Sequence, residues 1–535
     1  MIRWSTIFAL LLFATLSFSQ SPFPEISLSD VSVDNLGGIQ SYAFGQHNGK
    51  WLILGGRLDG LHRRQPWASF DPQGNNTQII VVDPQARNTW KASVESLPLS
   101  LKDQLSSTNM EFYQEDENLY IIGGYGYSEM AEDHITYPFL AAINVPSLIE
   151  AVINGQDLLP SFQQIQDPQF QVTGGRLEKI YDTYYLVGGQ KFMGRYNPMG
   201  PDHGPGFIQE YTNQIRKFRI QNDGDNLSVT FLPAFTDEDQ LHRRDYNVVP
   251  QVLQNGEEGL TAFSGVFQHT VDLPFLNSVN IDSSGYSVNE GFLQYYNHYH
   301  CPVVPLYSST DNEMHNIFFG GIAQFYDDNG VMVQDNDVPF VNTIARVSRN
   351  ATGEMTESKL PVELPELIGA GAEFIPNPDI TTFSNGVIDL DALPEEKILL
   401  GYIFGGIKSS QPNIFWINDG TQSQAERRIF ELYLENGDPN STIETSNSDK
   451  LKPVVYPNPT WGNVYIHFHL ADAKPVEIDF RSINGQMILA KQFDGLPVGD
   501  NWIEVSFPNI EMSGAVFCTI RAGDESRTVK VLLVE

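Results

Sequence analysis

Trp51-Leu-Ile-Leu-Gly-Gly56 is a run of bulky apolar residues closed by two glycines, and the same phrase returns along the chain. The copies are Leu119-Tyr-Ile-Ile-Gly-Gly124, Tyr184-Tyr-Leu-Val-Gly-Gly189, Ile317-Phe-Phe-Gly-Gly321 and Tyr402-Ile-Phe-Gly-Gly406. A sixth, Leu260-Thr-Ala-Phe-Ser-Gly265, carries serine in place of the first glycine. A β-branched and aromatic run reads as a buried strand, and a small pair at its end lets other backbone pack where a side chain would collide. The pairs begin at 55, 123, 188, 264, 320 and 405, so the steps run from 56 to 85 residues. A helical repeat holds its length and shows a period of about 3.6 residues. Short strands separated by loops of variable length predict a β-repeat instead.

The first unit is the clearest. Gln40–Gln46, Trp51–Leu54, Gln78–Val82 and Trp90–Val94, with turns at His47-Asn-Gly-Lys50 and Asp83-Pro84, read as four antiparallel strands. In this form the units resemble kelch repeats, whose blades have the apolar run and glycine pair in the second strand, then a Tyr-Asp-Pro-type turn and a Trp. Val82-Asp83-Pro84 to Trp90 matches that tail, with Val for the usual Tyr, while the other units keep the second strand and lose much of the rest. The resemblance covers roughly residues 24 to 435 and implies an all-β fold, a six-bladed kelch-type β-propeller. A propeller must join its first and last blades or leave two sheet edges open. The sixth unit offers Ile429-Phe-Glu-Leu-Tyr-Leu434 and no strand beyond it. Glu25-Ile-Ser-Leu-Ser-Asp-Val-Ser32 alternates without a partner of its own, so the expectation is that it completes the last blade.

Charge is lopsided, with 66 acidic against 32 basic residues and a formal net of -34, which argues against nucleic acid or an anionic membrane as partner. Arg3, the apolar stretch Ile7–Phe18 and Ser17-Phe-Ser19 fit a secretory signal over residues 1–19. No later run approaches the ~18 apolar residues of a membrane span. Cys301 and Cys518 lie too far apart in the chain to make a disulfide framework. The propeller is expected over 20–434, a polar linker over 435–450 and a small β-sandwich over 451–535.

The last region carries specific motifs. Tyr456-Pro457-Asn458-Pro459 with Gly462, then Gly485-Gln486, then Gly514 before a strand and Lys530 in the terminal Lys530-Val-Leu-Leu-Val-Glu535 are similar to the C-terminal sorting domain of type IX secretion cargo. That family usually has Tyr soon after the last glycine, where Ala515-Val-Phe517 stands here. The resemblance implies Sec export, passage through the type IX machinery of a Bacteroidetes-type outer membrane, and removal of the tail by a sortase-like protease. It places the protein outside the cell, released or on the cell surface.

Chemistry is expected on the loops between second and third strands and between blades, which share one face of a propeller. The candidates there are Arg63, Arg64 and Trp67 of the first unit, Arg195, Tyr196 and His203 of the third, and Arg243, Arg244 and Asp245 before the fourth. Guanidinium groups fork onto carboxylates and aromatic rings stack on sugars, so these residues suit an acidic glycan; the alternative is that the arginines pair with local acids such as Asp245 and brace the blades. His298 and His300, read as a strand, would fall on one side and begin a metal site, although isolated histidines are more often core or surface residues. No metal or cofactor is called for. The favoured reading is a secreted, non-catalytic propeller that binds a glycan or an extracellular protein. The alternative is a carbohydrate-active enzyme on the same face, of the kind of the sialic-acid mutarotases, which are also six-bladed kelch propellers.

Overall fold

The computed structural model describes residues 23–435 except 200–205, 329–330 and 395, and most of 451–533. The expected signal segment, His203, nearly all of the expected linker, Pro457, Asn458, Pro459, Gly462 and Gly485 lie outside the described residues. Six antiparallel sheets follow one another. Blade 1 is Ala43–His47, Lys50–Leu54, Gln78–Asp83 and Asn88–Ser93. Blade 2 is Glu111–Glu115, Asn118–Ile122, Phe139–Asn144 and Phe162–Gln166. Blade 3 is Arg176–Ile180, Thr183–Val187, Gln214–Asn222 and Leu227–Thr236. Blade 4 is Asn247–Val252, Glu258–Phe263, Ser278–Ile281 and Tyr286–Asn289. Blade 5 is Val303–Ser308, Glu313–Ile322, Phe340–Arg349 and Met355–Glu363. Blade 6 is Leu367–Pro376, Ile398–Ser409 and Ile429–Glu435, and its outer strand is Glu25–Val31 from the other end of the chain. That strand runs antiparallel to Ile429–Glu435 with Glu25 opposite Glu435 and Val31 opposite Ile429, and it buries Ile26 and Val31. The unpartnered N-terminal segment thus closes the ring.

The glycine pairs make the joints between blades. The N–H of the second glycine donates to a carbonyl of the loop that enters the next blade: Gly56 to Ser107 (2.8 Å), Gly124 to Val172 (3.0 Å), Gly189 to Arg243 (2.8 Å) and, across the seam, Gly406 to Ile39 (2.8 Å). The first glycine makes room for that carbonyl. A Cβ on Gly123 would stand 1.9 Å from Val172 O, and the residue is left-handed at φ +66°. In blade 4 the degenerate Ser264 keeps the left-handed backbone (φ 52°), and its hydroxyl donates to Phe275 O at 2.7 Å.

Two residues past each joint, the entering loops meet around the axis in a closed ring of backbone hydrogen bonds, one per blade. Asn109 donates to Ser41 (3.2 Å), Gly174 to Asn109 (3.3 Å), Asp245 to Gly174 (2.7 Å), His300 to Asp245 (2.9 Å), Gly371 to His300 (3.0 Å) and Ser41 to Gly371 (2.7 Å). Ser41, Asn109 and Asp245 take left-handed backbone to do so.

The long loops are ordered where described. Tyr125–Ser128 and Asp133–Thr136 of blade 2 join Gln190–Met193 and Ile208–Tyr211 of blade 3 in a separate four-stranded sheet over the loop face, and Phe325–Asp328 pairs with Val331–Gln334 beside blade 5. Two helices interrupt the β pattern. Val145–Asn154, capped by Asn144 and ended by left-handed Gly155, buries Leu148, Ile149 and Val152 in the core shared by blades 1 and 2. Leu99–Leu105 bridges these blades. In the C-terminal region, seven described strands form a three-stranded sheet, Val454–Tyr456, Asn463–Leu470 and Gly499–Ser506, and a four-stranded one, Lys474–Ser482, Met487–Leu496, Gly514–Ala522 and Glu525–Leu533. Both cysteines are buried and free.

Gly123→Ala is expected to cost about 2–4 kcal/mol in urea unfolding, because it adds a carbonyl clash to left-handed strain. Gly256→Ala, equally left-handed at φ +83° but with open space around it, provides the comparison and should cost about 1 kcal/mol. Equal costs would refute the joint as the reason for the glycine pair.

Candidate functional site

The axial ring determines which side chains reach the centre of the loop face. Asp245 is a ring member and Arg244 precedes it. The Asp245 carboxylate takes a hydrogen bond from Arg244 Nη1, while Arg244 Nε donates to the Tyr211 hydroxyl at 2.9 Å and the guanidinium lies 5.2 Å from the Phe267 ring centre. Burial opposes the Arg244 cation, but Tyr211, Asp245, Tyr196 and Tyr299 more than offset it and raise its pKa. Tyr196 and Tyr299 stand beside this pair. Both hydroxyls are pushed up by burial, with Arg244 pulling the other way, although each side chain keeps accessible surface. Groups that are desolvated and yet reachable line a concavity. Among the described residues, neither hydroxyl has a hydrogen-bond partner.

A wall of rings continues toward blade 1. His62 lies 4.9 Å from Tyr196, 5.6 Å from Phe70 and 5.5 Å from Phe415, and burial lowers its imidazole to about 4, leaving it neutral. Two cations at this wall have unused donors. Arg64 lies 4.2 Å over the Trp416 ring with its Nη1 enclosed and unbonded. Arg195 Nη1 donates to Trp67 O at 2.6 Å, while its Nε is enclosed and unbonded. Arg57, by contrast, is fully committed, with Nε on Asp59 at 2.7 Å and Nη1 on Asn75 at 2.8 Å. Trp67 is 73% exposed and Trp416 56%.

Arg64, Trp67, Arg195, Tyr196, Arg244 and Asp245 therefore come together on the loop face, drawn from blades 1, 3 and 4. Arg63 is exposed and rests against Gly420. Two expected ligand residues take other places. Arg243 is fully buried, its Nε on Gln240 O (2.7 Å), Nη1 on Ser264 O and Asn277 O (3.0 Å) and Nη2 on Asn277 Oδ1 (2.6 Å), so it braces the joint between blades 3 and 4. His298 is also enclosed, its Nε2 bonded to Gln294 O (2.9 Å) and its Nδ1 to Gln324 N–H (3.0 Å). The stretch 295–301 is irregular rather than a strand, because it must curl into the ring, so His298 and His300 do not share a face. His300 Nε2 instead stands 2.9 Å from Glu373 Oε1, which Arg176 approaches to 3.5 Å.

Glu373, Arg176 and Glu111 form a tier two residues further along their strands from the ring. Burial raises the Glu373 carboxyl, but His300 and Arg176 outweigh it and hold it low. Glu111, 1% exposed, takes the Gly175 N–H at 2.7 Å, and burial pushes its carboxyl up to about 8. None of these three drew attention in the sequence, since only the ring brings first strands of different blades together. Tyr211 carried no signal, and Tyr299 is flanked by two residues that did. A separate recess of about 550 Å³ on the flank of blade 2 includes Asp103, Ser128 and Gln164 in its lining. These three are paired, Ser128 Oγ to Asp103 at 2.8 Å and Gln164 Nε2 to Gln104 Oε1 at 2.9 Å.

In the C-terminal region Tyr456 pairs with Tyr465, Lys530 with Phe517 and Gly514 with Leu533, and Gln486 closes a turn onto Ser482 (2.9 Å). Together these features define an all-β propeller with an aromatic, arginine-bearing loop face and a β-sandwich tail. Residues 454–535 match the family described as the secretion system C-terminal sorting domain. The chain is cargo of the type IX export route, secreted or held at the cell surface. Among the described residues, no helix is long and apolar enough to cross a membrane. The fold is similar to the structure of YjhT (12% identity, TM-score 0.43, 75% of this chain and 99% of that one). It is also similar to the WD40 domain of SCAP from fission yeast (8% identity, TM-score 0.25, 95% of this chain and 98% of that one). No curated protein matches the chain.

The buried acids predict a stability slope. Glu111 has a folded pKa of about 8 against an ordinary 4.5, so between these values the folded state holds a proton that the unfolded state has lost, and stability falls as pH rises. His62 and His298, lowered from 6.5 to about 4, act in the opposite sense but only below 6.5. Thermal melting should therefore drop from pH 6.5 to 8, and Glu111→Gln should remove part of that drop, the rest coming from Glu178 and Glu357, which burial also raises to about 8; an unchanged slope in the variant would clear Glu111.

Proposed function

We propose that the loop face binds an acidic glycan without transforming it. The observation that carries this reading is that Arg64 and Arg195, both partly exposed at a wall of aromatic rings, are in no ion pair among the described residues. A partly exposed guanidinium without a carboxylate of its own is matched in charge and shape by a ligand carboxylate. The unpartnered Tyr196 and Tyr299 hydroxyls add neutral donors and acceptors for sugar hydroxyls. The catalytic alternative, an enzyme in the manner of the sialic-acid mutarotases, would need an acid at the ligand. Glu111 and Glu373 are 1% and 5% exposed and lie past the backbone ring. Asp245 is engaged by Arg244, and Asp337 accepts from the Trp416 indole N–H. This favours binding over turnover. On the same reading, the signal segment directs Sec export, a sortase-like protease removes the tail, and the host is a Bacteroidetes-type bacterium.

The test is binding of the purified full chain across neutral and acidic glycans, beside Arg64→Gln and Arg195→Gln variants. Specific binding to acidic glycans, weakened about tenfold or more in each variant, is expected for loss of a charge-assisted hydrogen bond. Binding that ignores both substitutions would remove the arginines from the site, and an absence of glycan binding would favour an extracellular protein as ligand.

A further inference from the structure

Most of the large apolar side chains that the propeller leaves exposed stand on the loops after second strands. Trp67 and Leu58 come from blade 1, Met130 from blade 2, Met199 from blade 3, and Trp416 and Ile417 from blade 6. Single exposed apolar residues are ordinary on any protein, but exposed indoles gathered on one face are not. Both indoles belong to the cation site. Arg64 lies on the Trp416 ring, whose Nε1 donates to Asp337 at 3.2 Å, and Arg195 binds the backbone of Trp67. Trp67 is 73% exposed and stacks on no ring among the described residues, so its indole is offered to a ligand. Each indole is therefore a flat apolar platform next to a guanidinium that has no carboxylate partner among the described residues, outside the concavity lined by Tyr196 and Tyr299.

A single acidic sugar in the concavity would leave these platforms uncovered. A chain of sugars would cover them, since each ring presents an apolar face to an indole and hydroxyls or a carboxylate to the charged neighbour. A protein partner would be better served by a continuous apolar patch, whereas here charged groups interrupt the apolar surface. We infer that Trp67 and Trp416 are outer subsites that stack successive sugars of an acidic oligosaccharide running outward from the Arg64 and Arg195 site. The inference rests on the acidic-glycan reading, and it specifies a polymer rather than a monosaccharide as ligand.

Calorimetric titration of the full chain with galacturonic, glucuronic and mannuronic acids, each as the single sugar and as oligomers of two to six units, tests it. Affinity is expected to rise with length for at least one series. Trp67→Ala and Trp416→Ala should each lower oligomer affinity about tenfold more than single-sugar affinity, in a chain that still melts cooperatively, and so remove the gain with length. Length-independent affinity, or a length gain that survives both substitutions, overturns the inference while leaving acidic-glycan binding intact. No binding of any member, single or polymeric, overturns both.

Discussion

The structure depends on six backbone hydrogen bonds that pass from loop to loop around the axis, Ser41, Asn109, Gly174, Asp245, His300 and Gly371 each donating to the preceding blade. A propeller sheet is satisfied along its own strands, so nothing within a blade dictates how many blades surround the axis or how closely they approach. The ring does both, because each donor must find its acceptor on the neighbour and the sixth must return to the first. The glycine pairs serve it. By holding the carbonyl two residues upstream, as Gly56, Gly124, Gly189 and Gly406 do, they deliver the loop to the axis at the right height. A carbonyl approach of 1.9 Å to the Cβ position of Gly123 indicates how little tolerance that delivery has.

The same ring sorts chemistry by depth. Side chains just before it, Arg244 and Tyr299 among them, open onto the loop face. Those just after it, Glu111, Arg176 and Glu373, are drawn into the blade interior, where burial and pairing push two carboxyls to opposite protonation states. Acidic and basic groups that lie close in projection thus face different surroundings. Arg64, Arg195 and Arg244 keep accessible surface on the loop face, while Glu111 and Glu373 are enclosed.

Much of this architecture is legible in the sequence because it is written locally. A glycine pair behind a β-branched run is a statement about one strand end, and an alternating segment without a partner predicts a seam. The Arg244-Asp245 and Arg195-Tyr196 pairs are likewise recognisable, since cations are scarce in so acidic a chain. The misreadings share a cause. Residues 295–301 alternate as a strand would, yet the ring needs them curled, so His298 and His300 part company. Arg243 looks equivalent to Arg244, and only the position of the joint sends one inward and the other out. Glu111 and Glu373 sit in ordinary strands, with no local sign that, four blades apart in the chain, they approach the same axis. The helix Val145–Asn154 fills a gap between blades that no single unit reveals.

The seam between Glu25–Val31 and Ile429–Glu435 joins segments about four hundred residues apart, the longest loop the chain has to close. The loop-face site straddles that seam: His62 and Arg64 come from the first blade, Phe415 and Trp416 from the last. A chain with five blades assembled and the sixth unfinished has hydrophobic sheets in place but only half of the aromatic wall. The wall that joins His62 and Arg64 to Phe415 and Trp416 is therefore complete only once the two ends have met.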